Sequence, residues 1–266
     1  MGSVRGSETE PFINKKKRGE SRDLSTRRVM QRYFSNELNN KVFTLNDDDS
    51  YHIKKVMRMN LGDKIEIINN EKLYICEIIS LDNLVEANII EEMNDYNEMD
   101  VKVIICQSLV NEQKMDFILQ KGTELGAYEF YPYKAVNSVI KENNKIDKKV
   151  VRWQKIVKEA SEQSKRNIIP KVNKPLDINE LIRLDASLKL ICTVNEVTNN
   201  IKKELQEHIT CDTIIIVVGP EGGFAKQEEE KLIENGFIPV SLGKRVLRTE
   251  TASLLVLSMI NYERMV

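Results

Sequence analysis

The chain has 266 residues, 41% of them hydrophobic and 30% charged, which is enough to build one large or two modest domains of globular type. The longest apolar run, Leu254 to Ile260, is interrupted by Ser258 and falls well short of the roughly 20 residues that cross a bilayer, so no membrane is expected as a partner. Four cysteines without a C-x-x-C pair and two histidines in separate segments, His52 and His208, argue against a zinc cage, a disulfide framework or a His-dependent hydrolase. A reducing cytoplasm and no metal are the expectation.

Formal net charge is −1, unevenly placed. Residues 1–29 hold eight Lys/Arg against four Asp/Glu and few apolar residues. They read as a disordered extension or an artefact of expression, with neither the apolar core of a secretory signal nor the acid-poor composition of a transit peptide.

From Met30 to Met99 the pattern is short strands: Lys41–Leu45, Lys64–Ile68, Leu73–Ile79 and Val85–Ile90, with Asn69-Asn70 as a hairpin turn. This predicts a small β-barrel-like unit. Within it Asp49–Met59 reads as one helix ending near Gly62, carrying His52, Lys54, Lys55 and Arg58, with Arg32 upstream beside Tyr33 and Phe34. Those groups form either a solvated helix face or a nucleic-acid contact. The acidic stretch Glu91–Asp100 reads as the linker to a second domain, 100–266.

That second domain alternates strands and helices. Val101–Gln107 is a strand, Met115, Ile118, Leu119, Gly122 and Leu125 follow helical spacing, and Ala127–Tyr133 is the next strand. Asp147 is the expected N-cap of a helix to about Ser164 with Val150, Trp153, Val157 and Ala160 inward. Its other face carries Lys148, Arg152, Lys155 and Lys158, a cationic ridge of the kind that follows a phosphate backbone. The surrounding stretch Lys141–Lys174 holds eleven Lys/Arg against four Asp/Glu. Gln163, Arg166 and Asn167 just beyond are candidate contacts to phosphate or base, or a cation-capped helix end. A strand over Leu188–Thr193 and a helix over Thr198–His208 follow, implying a mainly parallel sheet.

The chemistry concentrates in the last third. Ile214–Val218 reads as a strand buried on both faces, breaks at Gly219-Pro-Glu-Gly-Gly223, and restarts as a helix rich in Glu. The loop lacks the Lys-Ser/Thr of a phosphate-cradling loop and the G-x-G-x-x-G spacing of a dinucleotide site, and Glu221 would repel phosphate. A second strand, Ile238–Leu242, leads through Gly243 and Arg245-Val-Leu-Arg248 into a final helix, Glu250–Met265, that is apolar around most of its circumference.

Gly219-Pro-Glu-Gly-Gly223 together with Leu242-Gly-x-Arg-Val-Leu-Arg-x-Glu-Thr-Ala252 resembles the RsmE family of ribosomal RNA methyltransferases, of the trefoil-knotted SPOUT superfamily. The resemblance extends to Gln31-Arg-Tyr-Phe34, His52-x-x-x-Val56-x-Arg58, Lys114–Gly126 and Glu162-Gln-Ser-x-Arg166, and covers nearly everything from Met30. It implies an α/β fold with a knotted, mainly parallel sheet, helices on both faces, an N-terminal PUA-like β-barrel over 30–99, and a homodimer that covers part of the final helix. It implies S-adenosylmethionine as methyl donor and N3 of a uridine in the decoding region of 16S ribosomal RNA, in the small subunit, as acceptor. The cofactor would lie among Thr193, Val194 and Glu196; Gly219, Pro220, Glu221, Gly222 and Gly223; and Leu242, Gly243, Val246, Leu247 and Arg248. Arg248 would stabilise charge, Glu250 would accept a proton or hold Arg248, and Glu250 equally suits a helix first turn. Arg32, His52, Lys55, Arg58, Lys148, Arg152, Lys155, Gln163 and Arg166 are the expected RNA contacts. An RNA-binding assembly factor that has lost the reaction, or an enzyme acting on another RNA, are the competing readings.

Overall fold

The computed structural model describes residues 30–138 and 146–265. The expected disordered extension over 1–29, and Lys141 and Lys145 of the basic run, lie outside the described residues.

Six strands form the first sheet: β1 (Arg32–Phe34), β2 (Leu38–Asn39), β3 (Val42–Thr44), β4 (Lys64–Asn69), β5 (Lys72–Ser80) and β6 (Glu86–Met93). Their order is β1-β4-β5-β6-β3-β2, antiparallel except where β1 runs parallel to β4. Register shifts at Ile75/Cys76 and Ile78/Ser80 curl the sheet, as bulges do. The concave side closes over Tyr33, Phe43, Ile53, Ile65, Ile67 and Ile78. The β4–β5 turn lies one residue later than the sequence suggests. Asn69 still pairs with Lys72 while its amide donates to the Ser35 carbonyl, so Asn70 (φ 47) and Glu71 (φ 65) make the turn.

The single helix expected over Asp49–Met59 is two pieces. Asn46 caps a short helix α1 (Asp47–Tyr51), which widens directly into a π-helical stretch, His52–Met57. The Arg58 N–H closes on the Ile53 carbonyl and Arg58 itself is left-handed (φ 53), so the helix ends well before Gly62. Arg58 supplies the stop that glycine was expected to give.

The second sheet is wholly parallel, in the order β12-β10-β11-β7-β8-β9. Its strands are β7 (Lys102–Ser108), β8 (Glu129–Tyr133), β9 (Lys171–Val172), β10 (Leu188–Cys192), β11 (Thr213–Val218) and β12 (Ile238–Val240). The central strand β11 explains the layering. Ile214, Ile216 and Val218 point into one apolar core and Ile215 and Val217 into another, all buried. Four helices fill the first core: α2 (Glu112–Glu124), α3 (Ile146–Gln163), Ile201–Glu207 through Ile201 and Leu205, and Thr249–Arg264. Leu181, from a short helix α4 (Ile178–Leu181), and Leu232 from Lys226–Glu234 cover the other. The remaining helices in chain order are α5 (Ile201–Glu207), α6 (Lys226–Glu234) and α7 (Thr249–Arg264).

Three further local expectations change. The helix α3 already includes Asp147 in its first turn, so Asp147 is not an N-cap; its carboxylate pairs with Lys174 at 2.7 Å. Trp153, Val157 and Ala160 are buried as expected, whereas Val150 is only half-buried. Helix α5 starts at Ile201 rather than Thr198, because Glu196 Oε1 accepts from the Thr198 and Asn199 amides and holds 196–199 in a turn, leaving Asn200 as the cap. In the acidic stretch Glu91–Asp100, β6 runs to Met93, and Glu98 accepts from Arg166 and from the backbone N–H groups of Asn167 and Ile168.

Candidate functional site

Three loops leave the carboxyl ends of neighbouring parallel strands, the position at which open α/β sheets bind small molecules. They are 193–200 after β10, 219–225 after β11 and 241–248 after β12. Since β10 lies between β12 and β11, the loops adjoin. The first and third are joined directly: Ser241 N donates to Asn199 O at 2.8 Å and Ile201 N to Ser241 O at 3.2 Å.

A buried polar chain forms the floor of the glycine loop. Gln107 on β7 donates to Thr249 Oγ1 at 2.8 Å, Thr249 Oγ1 donates to the Gly219 carbonyl at 2.7 Å, and Ser253 Oγ donates back to Gln107 Oε1 at 2.5 Å. Each polar atom is satisfied in an apolar surround, which fixes the loop against the last helix. A Cβ on Gly219 would lie 2.9 Å from the Phe224 ring, and Gly223 has φ +72, so both positions favour glycine, the first by space and the second by backbone conformation. Asn137, from beyond β8, donates to the Gly223 carbonyl.

The rim differs from the floor. Val194 is 65% and Val246 84% exposed, while Leu242 and Leu247 lie half-buried against the core. Thr193 is buried and its hydroxyl receives the Asn195 N–H. Glu196 is held near a pKa of about 2 by the Asn199 and Thr198 donors, so one of its oxygens is already committed to shaping its own loop. Burial, the largest single influence on Glu221, pushes its carboxyl up, but the hydrogen bond and charge of Lys114 together with a backbone hydrogen bond outweigh it, and the carboxyl titrates below its usual range. Pro220 and Gly222 complete the turn, and Gly243 N reaches back to Ser241 Oγ.

Arg248 occupies the N-cap position of α7 and is exposed; among the described residues its guanidinium has no hydrogen-bond or ion-pair partner. Glu250, in the first turn of α7, lies 3.5 Å from the Lys114 ammonium, itself 2.7 Å from Glu221. Sequence reasoning left Lys114, Gln107, Thr249 and Ser253 out of the site. Lys114 is 107 residues from Glu221, and Gln107 is 142 from Thr249, separations that no local pattern signals. Among the described residues there is no group of three His, Cys, Asp or Glu that could hold a metal ion, and no helix long and apolar enough to cross a membrane.

The expected RNA contacts fall into three groups. Lys55, Arg58, Lys148 and Gln163 are exposed, and His52 is half-buried with Nδ1 3.0 Å from the Tyr33 hydroxyl. Arg152 and Lys155 of the ridge are exposed but paired, Arg152 with Asp116 and Glu112 on α2 and Lys155 with Asp48 on α1. Lys158 is paired with Asp49 and Glu162. The ridge is in part an electrostatic seam between the two sheets' helices. Arg32 and Arg166 are buried: Arg32 binds Glu66 and the carbonyls of Lys165 and Arg166, and Arg166 binds Glu98 and the carbonyls of Thr123 and Ala127. Both are structural ties here, with no surface to offer a nucleic acid.

Two clefts, about 410 and 350 Å³, lie under the 96–100 segment. They share Glu98, Met99, Asp100, Gly126 and Arg166, which belong to the amino-terminal side of the sheet, and no residue of the three loops lines them.

Comparison with known proteins agrees with this architecture. Residues 97–261 match the RNA methyltransferase domain family and residues 45–90 the RNA methyltransferase PUA domain family. Ribosomal RNA small subunit methyltransferase E of Bacillus subtilis is 37% identical over 248 residues, 88% of this chain and 97% of that protein. Its namesake in Mesomycoplasma hyopneumoniae is 33% identical over 231 residues, 86% of this chain and 98% of that protein. The crystal structure of ribosomal RNA small subunit methyltransferase E from Neisseria gonorrhoeae bound to S-adenosyl methionine superposes with a TM-score of 0.79 at 31% identity, over 88% of this chain and 97% of that one. With its sheets, its glycine loops and near full-length identity of this order, the chain belongs to the ribosomal RNA small subunit methyltransferase E family.

Proposed function

We propose that this chain methylates N3 of a uridine in the decoding region of 16S ribosomal RNA, using S-adenosylmethionine. The observation that carries the reading is the partnerless Arg248 guanidinium at the junction of three loops whose rim is apolar and whose walls are polar backbone.

The residues present suit the donor. Val194, Val246 and Leu247 offer apolar walls to an adenine, and the backbone of Gly219–Gly223 and Leu242–Gly243 offers polar groups to the ribose and the base edge. Glu196 and Glu221 each keep one carboxylate oxygen outside the contacts described above, available to ribose hydroxyls or to a cation. When bound, S-adenosylmethionine supplies an electrophilic methyl group on a sulfonium. The chain's own part concerns the acceptor. Uridine N3 is a poor nucleophile until its proton leaves, and the negative charge then spreads to O2 and O4. Arg248 is the cation placed for that charge, an electrostatic role of the oxyanion type. Glu250 is the weaker assignment for the proton, since it is also a first-turn acid at the start of α7. The uridine must be unpaired or flipped to reach the loops.

The domain division in this reading is 30–99 for RNA, through Lys55, Arg58 and His52, and 100–266 for catalysis, with Lys148 and Gln163 adding contacts beside the ridge. Residues 1–29 have no part in it. A knotted C-terminal segment, a homodimer through the half-buried Leu254, Leu255 and Met259 of α7, the assembled small subunit as substrate, and a cytoplasmic location belong to the same proposal. The test is methyl transfer from labelled S-adenosylmethionine to small subunits lacking the modification, with the nucleoside identified by mass spectrometry. N3-methyluridine at one position supports the reading; cofactor binding without transfer replaces it with another RNA target or an assembly factor.

A further inference from the structure

Lys114 stands in the first turn of α2, whose start Asn111 caps by accepting the Lys114 N–H. Met115, Ile118 and Leu119 of the same helix are buried in the main core, so the backbone that carries Lys114 is fixed. Its ammonium donates to Glu221 Oε1 at 2.7 Å and lies 3.5 Å from Glu250 Oε2. Three elements remote in sequence, α2, the glycine loop and the head of α7, therefore converge on one cation.

Arg248 is two residues from Glu250, yet its guanidinium is unpaired among the described residues. A guanidinium near a carboxylate ordinarily forms a charge-assisted, often bidentate pair. Here Glu221 hydrogen-bonds Lys114, and Glu250 Oε2, buried and without a hydrogen-bond partner among the described residues, lies in ion-pair range of the same ammonium. We infer that Lys114 is a positioning residue that holds Glu221 and Glu250 off Arg248, leaving that guanidinium free to face the acceptor base. The hydrogen bond to Glu221 raises the Lys114 pKa against the opposing effect of desolvation, so the side chain is a permanent cation at neutral pH. The role in turnover rests on the methyltransferase reading; the arrangement of charges does not.

Two variants and two measurements decide it. In Lys114→Met the freed carboxylates pair with Arg248, and kcat on small subunits falls at least about 30-fold while S-adenosylmethionine Kd by calorimetry moves within about 3-fold, the pattern of a transition-state loss. Lys114→Arg keeps the charge and recovers kcat to within about 5-fold of the parent, a rescue that loss of packing alone would not give. Unchanged turnover in Lys114→Met, or equal losses in both variants, overturns the inference. The crystal structure of Lys114→Met gives a readout that needs no activity. Glu250 or Glu221 turned onto Arg248 is the expected result, and an Arg248 still unpaired overturns the inference. A parent that binds S-adenosylmethionine but transfers nothing sinks the functional reading alone, and the variant's structure still decides the role of Lys114.

Discussion

Arg166 and Glu98 form a buried ion pair, Nη2 to Oε2 at 2.5 Å and Nε to Oε2 at 3.0 Å, with both side chains 5% exposed. The remaining donors of Arg166 serve the Thr123 and Ala127 carbonyls, and Glu98 also caps the Asn167 and Ile168 amides. Removing one partner leaves a charge buried without compensation. Arg166→Ala is expected to cost about 3–5 kcal/mol in denaturant unfolding, the usual penalty for breaking a buried pair. A loss confined to RNA affinity at parental stability would contradict it.

The exposed cations separate by their partners. Lys155 is neutralised by Asp48 and Arg152 by Asp116 and Glu112. Alanine at Lys55 or Arg58 should reduce the dependence of RNA affinity on salt by about one counterion each, and alanine at Arg152 or Lys155 by clearly less. Filter binding at several salt concentrations measures the slopes.

Glu162 sits in the seam beside Lys158, with Asp49, Glu159 and Tyr33 near, and burial pushes its carboxyl up to about 7 despite the Lys158 ion pair. Its folded pKa exceeds its unfolded one, so the folded state binds the extra proton between the two values. Stability therefore falls as pH rises through that window, from about 4.5 to about 7, by on the order of 1–3 kcal/mol, and is level above it. Glu162→Gln should flatten that part of the curve in thermal scans taken across pH 5–8.

Arg248→Ala should lower kcat by about 10²-fold or more while changing S-adenosylmethionine affinity little, as for loss of a group that acts on developing charge. Single-turnover kinetics with calorimetric binding provides both numbers. Abolished cofactor binding would make Arg248 a wall of the pocket instead.

Gly219→Ala places a methyl group 2.9 Å from the Phe224 ring and must move the ring or the loop. Affinity for S-adenosylmethionine is expected to drop about 10-fold or more, with unfolding stability reduced by about 1–3 kcal/mol through overpacking. Gly223→Ala, at φ +72 with open space around it, carries a backbone cost of only about 1–2 kcal/mol.

What could be seen in the sequence was whatever has a period or a punctuation mark. Ile214–Val218 followed by glycines declares a doubly buried strand and its loop, and α2 and α7 announce their apolar spacing. Strand β9 has two residues and α4 four, too few for any period. The cationic ridge was legible as charge but not as function, because the acids that neutralise it come from α1 and α2. In the same way Arg166 looks in sequence like an exposed helix-end cation; only the fold brings Glu98 to it.

The chain Gln107–Thr249–Ser253 has a consequence for biosynthesis. Its members are separated by up to 146 residues, so closing it carries the loop entropy of a long-range contact and comes late in folding. The strands and the glycine loop are translated first, and the hydroxyl that satisfies the Gly219 carbonyl comes with the helix α7 that follows them. A chain lacking Thr249 leaves the Gly219 carbonyl without that hydroxyl and the glycine loop without its floor.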